Sequence, residues 1–181
     1  NSMFMGELCL DGTMNPVSGV LPASCLAKDK GFTQVFVPRE NAGEASAIGA
    51  FFVYGVTSLR EVVEILNGNG DILPYTEPPT EHVKEEPVPD FSDVQGQVMA
   101  RRALEIAAAG RHNVLMIGPP GTGKTMLAKR IPGILPELSY EESLELSKIY
   151  SVAGRLKGKC LMKKPPFQAP HHTVTQSALA G

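Results

Sequence analysis

Residues 118–125 read Gly-Pro-Pro-Gly-Thr-Gly-Lys-Thr, and this octet narrows the possible fold more than any other stretch of the chain. The pattern G-x-x-x-x-G-K-[ST] works only between a strand and a helix. Its glycines must curl the backbone until successive N–H groups face one anion. Val114-Leu115-Met116-Ile117 precede the octet and suit a buried strand of a parallel sheet. Met126-Leu127-Ala128-Lys129-Arg130 follow it and suit a helix that stops near Pro132. Gly118, Gly121, Thr122, Gly123, Lys124 and Thr125 are therefore candidate phosphate ligands, with Lys124 as a point charge and the Thr125 hydroxyl offered to Mg²⁺. Pro119 and Pro120 carry no N–H, so their part in such a loop is conformational.

The rest of the chain divides by charge. Residues 1–67 carry net −3, residues 68–90 net −5 and residues 91–181 net +6. A basic C-terminal part suits a polyanionic partner, although a solvated basic face has the same composition. With 43% hydrophobic residues the chain reads as globular, and no apolar run reaches the length of a membrane span. No basic flank with a long apolar core opens the chain, so no leader is expected. Cys9, Cys25 and Cys160 are odd in number and lack C-x-x-C spacing. They read as reduced cysteines of a cytoplasmic protein.

Residues 6–67 read as a small α/β unit. Glu7-Leu8-Cys9-Leu10 meets the turn pair Asp11-Gly12, Pro22 opens a short helix that Gly31 closes, and Gln34–Val37 and Phe51–Tyr54 are strands. Ser58 and Glu61 form a capping box ahead of an apolar stripe, Leu59, Val62, Val63 and Leu66. Residues 68–90 mix Pro74, Pro78, Pro79, Pro87 and Pro89 with glutamates, a composition with too little to bury, and read as a linker. An acidic docking peptide is the alternative. Beyond it, Met99, Ala103, Ile106 and Ala107 suggest a helix face closed by Gly110 as C′. Ser139 and Glu142 predict a second capping box, followed by Leu146, Ile149 and Ala153 as the packed stripe and Gly154 as the stop. Arg155 to Pro170 supports no assignment.

Several polar residues stand outside these elements. His171 and His172 are adjacent, so on a strand they point to opposite faces and cannot share a metal as a helical i, i+4 pair does. A nucleic-acid-facing loop and plain packing or exposure both remain open for them. Arg101 and Arg102 sit one helix length before the octet; a neighbouring subunit, a phosphate backbone or solvent could each be what they face.

Asp93-Val94-Gln95-Gly96-Gln97, then the octet, then Pro166-Phe167-Gln168-Ala169-Pro170-His171-His172 and Ser177-Ala178-Leu179-Ala180-Gly181 together resemble the ComM/YifB family of magnesium-chelatase-like AAA+ proteins. The resemblance implies an α/β chain: a partial Lon-protease-like α+β domain over 1–67, an acidic linker over 68–90, and over 91–181 the N-terminal part of a truncated P-loop AAA+ three-layer αβα domain. It implies ATP and Mg²⁺ as cofactors, Val94, Gln95 and Gly96 beside the adenine, assembly of the longer protein into a hexameric ring, and DNA as partner for branch migration or helicase work. A magnesium-chelatase-type ATPase subunit and a nucleotide-gated scaffold without turnover are the competing readings. An apolar strand ending in Asp-Glu is not found after the His-His pair. The chain is thus expected to be an internal piece that binds ATP without hydrolysing it.

Gly6-Glu7-Leu8, Pro16-Val17-Ser18-Gly19 and Val37-Pro38-Arg39-Glu40-Asn41 resemble the C-terminal half of a Lon-type protease domain. An ungapped alignment to that family puts Leu21 where its catalytic lysine falls, with Lys28 and Lys30 farther along the helix. A serine nucleophile without its base is not activated, so no proteolysis is expected.

Overall fold

The strand Gln34–Pro38 (β4) lies between two others and is buried from Val35 to Pro38. In this computed structural model, which describes residues 1–68, 72–76, 89–156 and 160–170, β4 pairs in parallel with Ser2–Phe4 (β1) on one side and Phe52–Val56 (β5) on the other. A short antiparallel pair joins Glu7–Leu8 (β2) to Met14–Asn15 (β3) around the Asp11-Gly12 turn. Parallel neighbours need crossovers, and helices supply them: Val20–Asp29 (α1) between β3 and β4, and Ala42–Ser46 (α2) between β4 and β5.

Alternation along β4 sorts its side chains onto two faces. Val35 and Val37 pack with Val20, Ala27, Ala42, Ala45 and Val53. Phe36 packs with Val56 and Val62 on the helix Leu59–Leu66 (α3). Its ring stacks between Phe4 and Tyr54, each at 4.9 Å between centroids. Gly55 in β5 has no room for a side chain: an added Cβ would stand 2.9 Å from that of Ala42.

The described chain forms two compact units, Asn1–Val83 with Leu138–Lys163, and Lys84–Glu137 with Lys164–Gly181. The first holds every strand found among the described residues. It also holds the helix Tyr140–Val152 (α7), which packs on α1 through the cluster of Leu21, Ile48 and Leu156 with Leu144 and Tyr150. The second unit contains a 3-10 turn at Phe91–Asp93 and the helices Val98–Gly110 (α4), Lys124–Ala128 (α5) and Ile131–Ile134 (α6). Its core is Phe91, Val94, Leu104 and Leu127, with Ala100, Met116, Ile131 and Ile134 against them.

Several expectations need correction. Val114–Ile117 form no strand: no described strand runs beside them, and a strand without a ladder partner leaves its backbone polar groups unpaired. Leu115 and Ile117 are more than four-fifths exposed, and Met116 alone turns into the core. The helix after the octet breaks at Lys129–Arg130, and Pro132 sits in the first turn of α6, where its missing N–H is harmless. Helix α1 opens at Val20 on Gly19, whose φ is 82°, ahead of Pro22. β1 was not anticipated at all.

The packed faces of three helices also differ from the expected stripes. In α3 only Val62 is buried, while Leu59, Val63 and Leu66 stay about half exposed. Ser58 accepts from the Glu61 amide, but the Glu61 carboxylate reaches one residue farther back, to the amide and hydroxyl of Thr57. In α4 Leu104 is the buried residue, and Met99 and Ile106 face outward. Gly110 ends that helix and Arg111 takes the left-handed cap at φ 53°; an added Cβ at Gly110 would collide with the His112 ring. In α7 the capping box of Ser139 and Glu142 forms as expected. The buried residues behind it, however, are Ser143, Ser147 and Ser151, spaced four apart. Leu146 is half-buried, and Ile149 and Ala153 are exposed. Of the acidic stretch 68–90, residues 69–71 and 77–88 lie outside the described residues. Within it Tyr75 donates its amide to the Val53 carbonyl at 2.6 Å and packs on the sheet core.

Candidate functional site: a glycine-rich loop and the segment tied to it

Gly121 and Gly123 both hold φ 81°. Side-chain-bearing residues rarely adopt that conformation, so the positions demand glycine. At Gly121 an added Cβ meets no atom within 4 Å. The glycine is there for its backbone angle, which turns the loop, rather than for want of space within the protein. Gly123 is the N-cap of α5 and its carbonyl already accepts from Leu127 N at 2.9 Å.

Lys124 leads α5 and folds back over the loop. Its Nζ donates to Gly118 O at 2.8 Å, Pro119 O at 2.7 Å and Thr122 Oγ1 at 3.2 Å. Thr122 Oγ1 in turn donates to Pro119 O at 2.9 Å. The ammonium therefore bridges the start of the turn to the Thr122 hydroxyl, held by two neutral carbonyls rather than by an anion. Pro120 is exposed and contributes no donor, and Thr125 is exposed on the first turn of α5. No described group of three His, Cys, Asp or Glu side chains is placed to hold a metal.

Of the segment Val94–Gly96, Val94 shares the core cluster with Leu127 of α5. Val94 is buried, Gln95 is exposed and Gly96 turns with φ 73°. Arg101 Nη1 donates to Val94 O at 3.1 Å, so Arg101 faces its own fold rather than outward, while Arg102 pairs with Glu105 on the exposed side of α4 at 3.1 Å.

Two residues of this site were missed in the sequence. Gln97 caps α4 in a left-handed conformation at φ 53°, and its Nε2 donates to the Thr122 carbonyl at 3.4 Å. Arg130, just past α5, places Nε 3.8 Å from Asp93 Oδ2 and donates Nη1 to Met126 O at 3.1 Å. Only the Gly96-Gln97 pair before an apolar helix hinted at a tight turn there; nothing marked Arg130. His171, His172 and Ser177–Gly181 lie outside the described residues.

In the other unit, Leu21 is fully buried, and Lys28 and Lys30 are exposed. No described helix is long and apolar enough to cross a membrane.

Comparison with known proteins identifies the family. Residues 90–181 match a family model described as magnesium chelatase, subunit ChlI, and residues 1–41 match one described as subunit ChlI of Mg-chelatase. The chain is 42% identical over 185 residues to the competence protein ComM of Haemophilus influenzae, covering 98% of this chain and 35% of that protein. It is 38% identical over 177 residues to the uncharacterized protein YifB of Escherichia coli, covering 98% and 34%. An archaeal Lon protease of Archaeoglobus fulgidus is 41% identical over 87 residues, 47% of this chain and 13% of the protease. The chain thus spans about a third of the length of the ComM and YifB relatives. Two chelatase models and end-to-end matches of this kind place the chain in the ComM/YifB family of magnesium-chelatase-like AAA+ ATPases.

Proposed function

We propose that this chain is the ATP-binding part of a ring-forming ATPase that acts on DNA. The observation that carries the proposal is the octet itself: two glycines at φ 81° and a lysine ammonium held at the turn's mouth. Nucleotide binding replaces the Gly118 and Pro119 carbonyls on Lys124 Nζ with phosphate oxygens. The amides of Gly121, Thr122, Gly123, Lys124 and Thr125 supply neutral donors. Thr125 meets Mg²⁺ through its hydroxyl, and Val94, Gln95 and Gly96 border the base. Bound Mg²⁺ supplies charge neutralisation between phosphates.

Residues 1–67 serve as a Lon-like domain without protease activity, since buried Leu21 replaces the base. Residues 68–90 join it to the ATPase part, residues 91–181. The net +6 over 91–181 and the likeness to the Haemophilus relative, a competence protein, favour DNA as the polymer; the AAA+ family membership supports a hexameric ring as the working form. The chelatase family match supports a second reading, a subunit that drives metal insertion.

DNA binding by the whole protein separates the two. For the first reading log K falls linearly as log salt rises, by about 0.9 per phosphate contacted. A whole protein that binds ATP–Mg²⁺ but shows no salt-dependent DNA affinity contradicts the DNA reading and leaves the chelatase one.

A further inference from the structure

Gln97 pays a conformational penalty that its position does not require. Gly96 and Gln97 are successive left-handed residues, at φ 73° and 53°, and a glycine or asparagine at 97 would adopt this backbone more readily. Gln97 caps no helical amide with its side chain. That side chain instead crosses 25 positions of sequence to the Thr122 carbonyl, the peptide that leads into Gly123. The same segment is tied down at its other end by Asp93, 3.8 Å from Arg130 Nε at the far end of the octet's helix.

We infer that Gln97 is a positioning residue that couples the phosphate loop to the base-side segment Val94–Gly96, and so sets affinity for the nucleoside rather than for the phosphates. This rests on the nucleotide-binding reading above. The Thr122–Gly123 peptide is part of the curl that must face a phosphate. Gln97 meets that peptide only at its carbonyl, which in a trans peptide points away from the N–H, so the positive φ of Gly123 and not Gln97 sets where that N–H faces. The contact holds the turn at Gly96 against the loop. Ordering that turn before the nucleoside arrives removes an entropic penalty from nucleoside binding. Phosphate alone touches only the loop and gains little from it.

The test is isothermal titration of the whole chain, and of Gln97→Asn, with ATP–Mg²⁺ and with inorganic tripolyphosphate–Mg²⁺. Asparagine accepts the left-handed backbone, but its side chain is one methylene too short to reach Thr122 O. ATP affinity is expected to fall about fivefold, the ratio equivalent to one neutral hydrogen bond of about 1 kcal/mol. Tripolyphosphate affinity and the thermal midpoint are expected to stay within twofold and about 1 °C. ATP affinity unchanged in Gln97→Asn overturns the inference, as does an equal fall for both ligands, since that means Gln97 merely shapes the loop. If the unaltered chain binds neither ligand, the nucleotide reading itself fails, and the inference with it.

Discussion

Glu44 is a carboxylate enclosed in the first unit, only 8% exposed, and among the described residues no basic side chain is bonded to it. Oε1 accepts from Leu21 N at 2.9 Å and from the Ser151 hydroxyl, and Oε2 accepts from Asn41 Nδ2 at 3.2 Å. Leu21 N is an open donor of the first turn of α1, whose N-cap Gly19 has no side chain to offer it. Glu44 thus caps α1 from a distance and holds α7 to it through Ser151. Glu44→Ala strands the Leu21 amide and the Ser151 hydroxyl, at about 1–3 kcal/mol each when buried. Asn41 retains a partner in the Val17 carbonyl. A loss of about 2–6 kcal/mol follows, which at about 2 kcal/mol/M lowers a urea midpoint by roughly 1–3 M. Ser151→Ala removes a single hydrogen bond to the carboxylate and is expected to lose about 1.5–3 kcal/mol. Glu44→Gln cannot fully replace the carboxylate, because its amide nitrogen meets Asn41 Nδ2, and Asn41 is fixed by a two-pronged bond to Val17. The chain has no Trp, so near-UV circular dichroism of the tyrosines, Tyr75 and Tyr150 included, reports the transition. A wild-type midpoint in Glu44→Ala would refute the idea that this carboxylate holds α1 and α7 together.

Two further outcomes follow from local geometry. Gly121→Ala forces a side-chain-bearing residue to φ 81°, a strain of about 1–2 kcal/mol; ATP binding is expected to weaken about five- to thirtyfold while far-UV circular dichroism stays the same. Burial pushes the Glu61 carboxyl up, but the bonds from the Thr57 hydroxyl and amide, with the charge of Arg39, outweigh it and hold Glu61 below its ordinary 4.5. Because the folded-state value is depressed, this contribution to stability is complete above about pH 4.5 and disappears as the pH falls through the folded value. Thr57→Val removes the 2.6 Å hydroxyl bond, so the Glu61 resonance should titrate at higher pH in an NMR titration; an unchanged midpoint contradicts this account.

The octet was legible in the sequence because its constraint is local: glycines at the turning positions leave few other conformations. β4, the β2–β3 turn and the Ser139 capping box were legible for the same reason. What escaped depended on partners distant in the chain. The packed face of α7 is serine because it meets the main chain of Met162 and the Glu44 carboxylate, and a rule that looks for Leu and Ile at helical spacing selects the wrong side. The run Val114–Ile117 has a strand's composition, but pairing needs a neighbour, and composition cannot supply one. Gln97 was overlooked because the Gly96-Gln97 pair hints only at a turn, while the partner of its side chain lies 25 positions away. Arg130 read as one more basic residue at a helix end.

The central claim is that the Gly118–Thr125 turn holds a nucleotide triphosphate through Lys124. Calorimetric titration of ATP–Mg²⁺ into the chain and into Lys124→Ala tests it most directly. Loss of a hydrogen bond from a charged donor is worth about 1.5–3 kcal/mol, so the account predicts saturable binding by the unaltered chain and an affinity at least tenfold weaker in the variant. Equal affinity in the two proteins would contradict it.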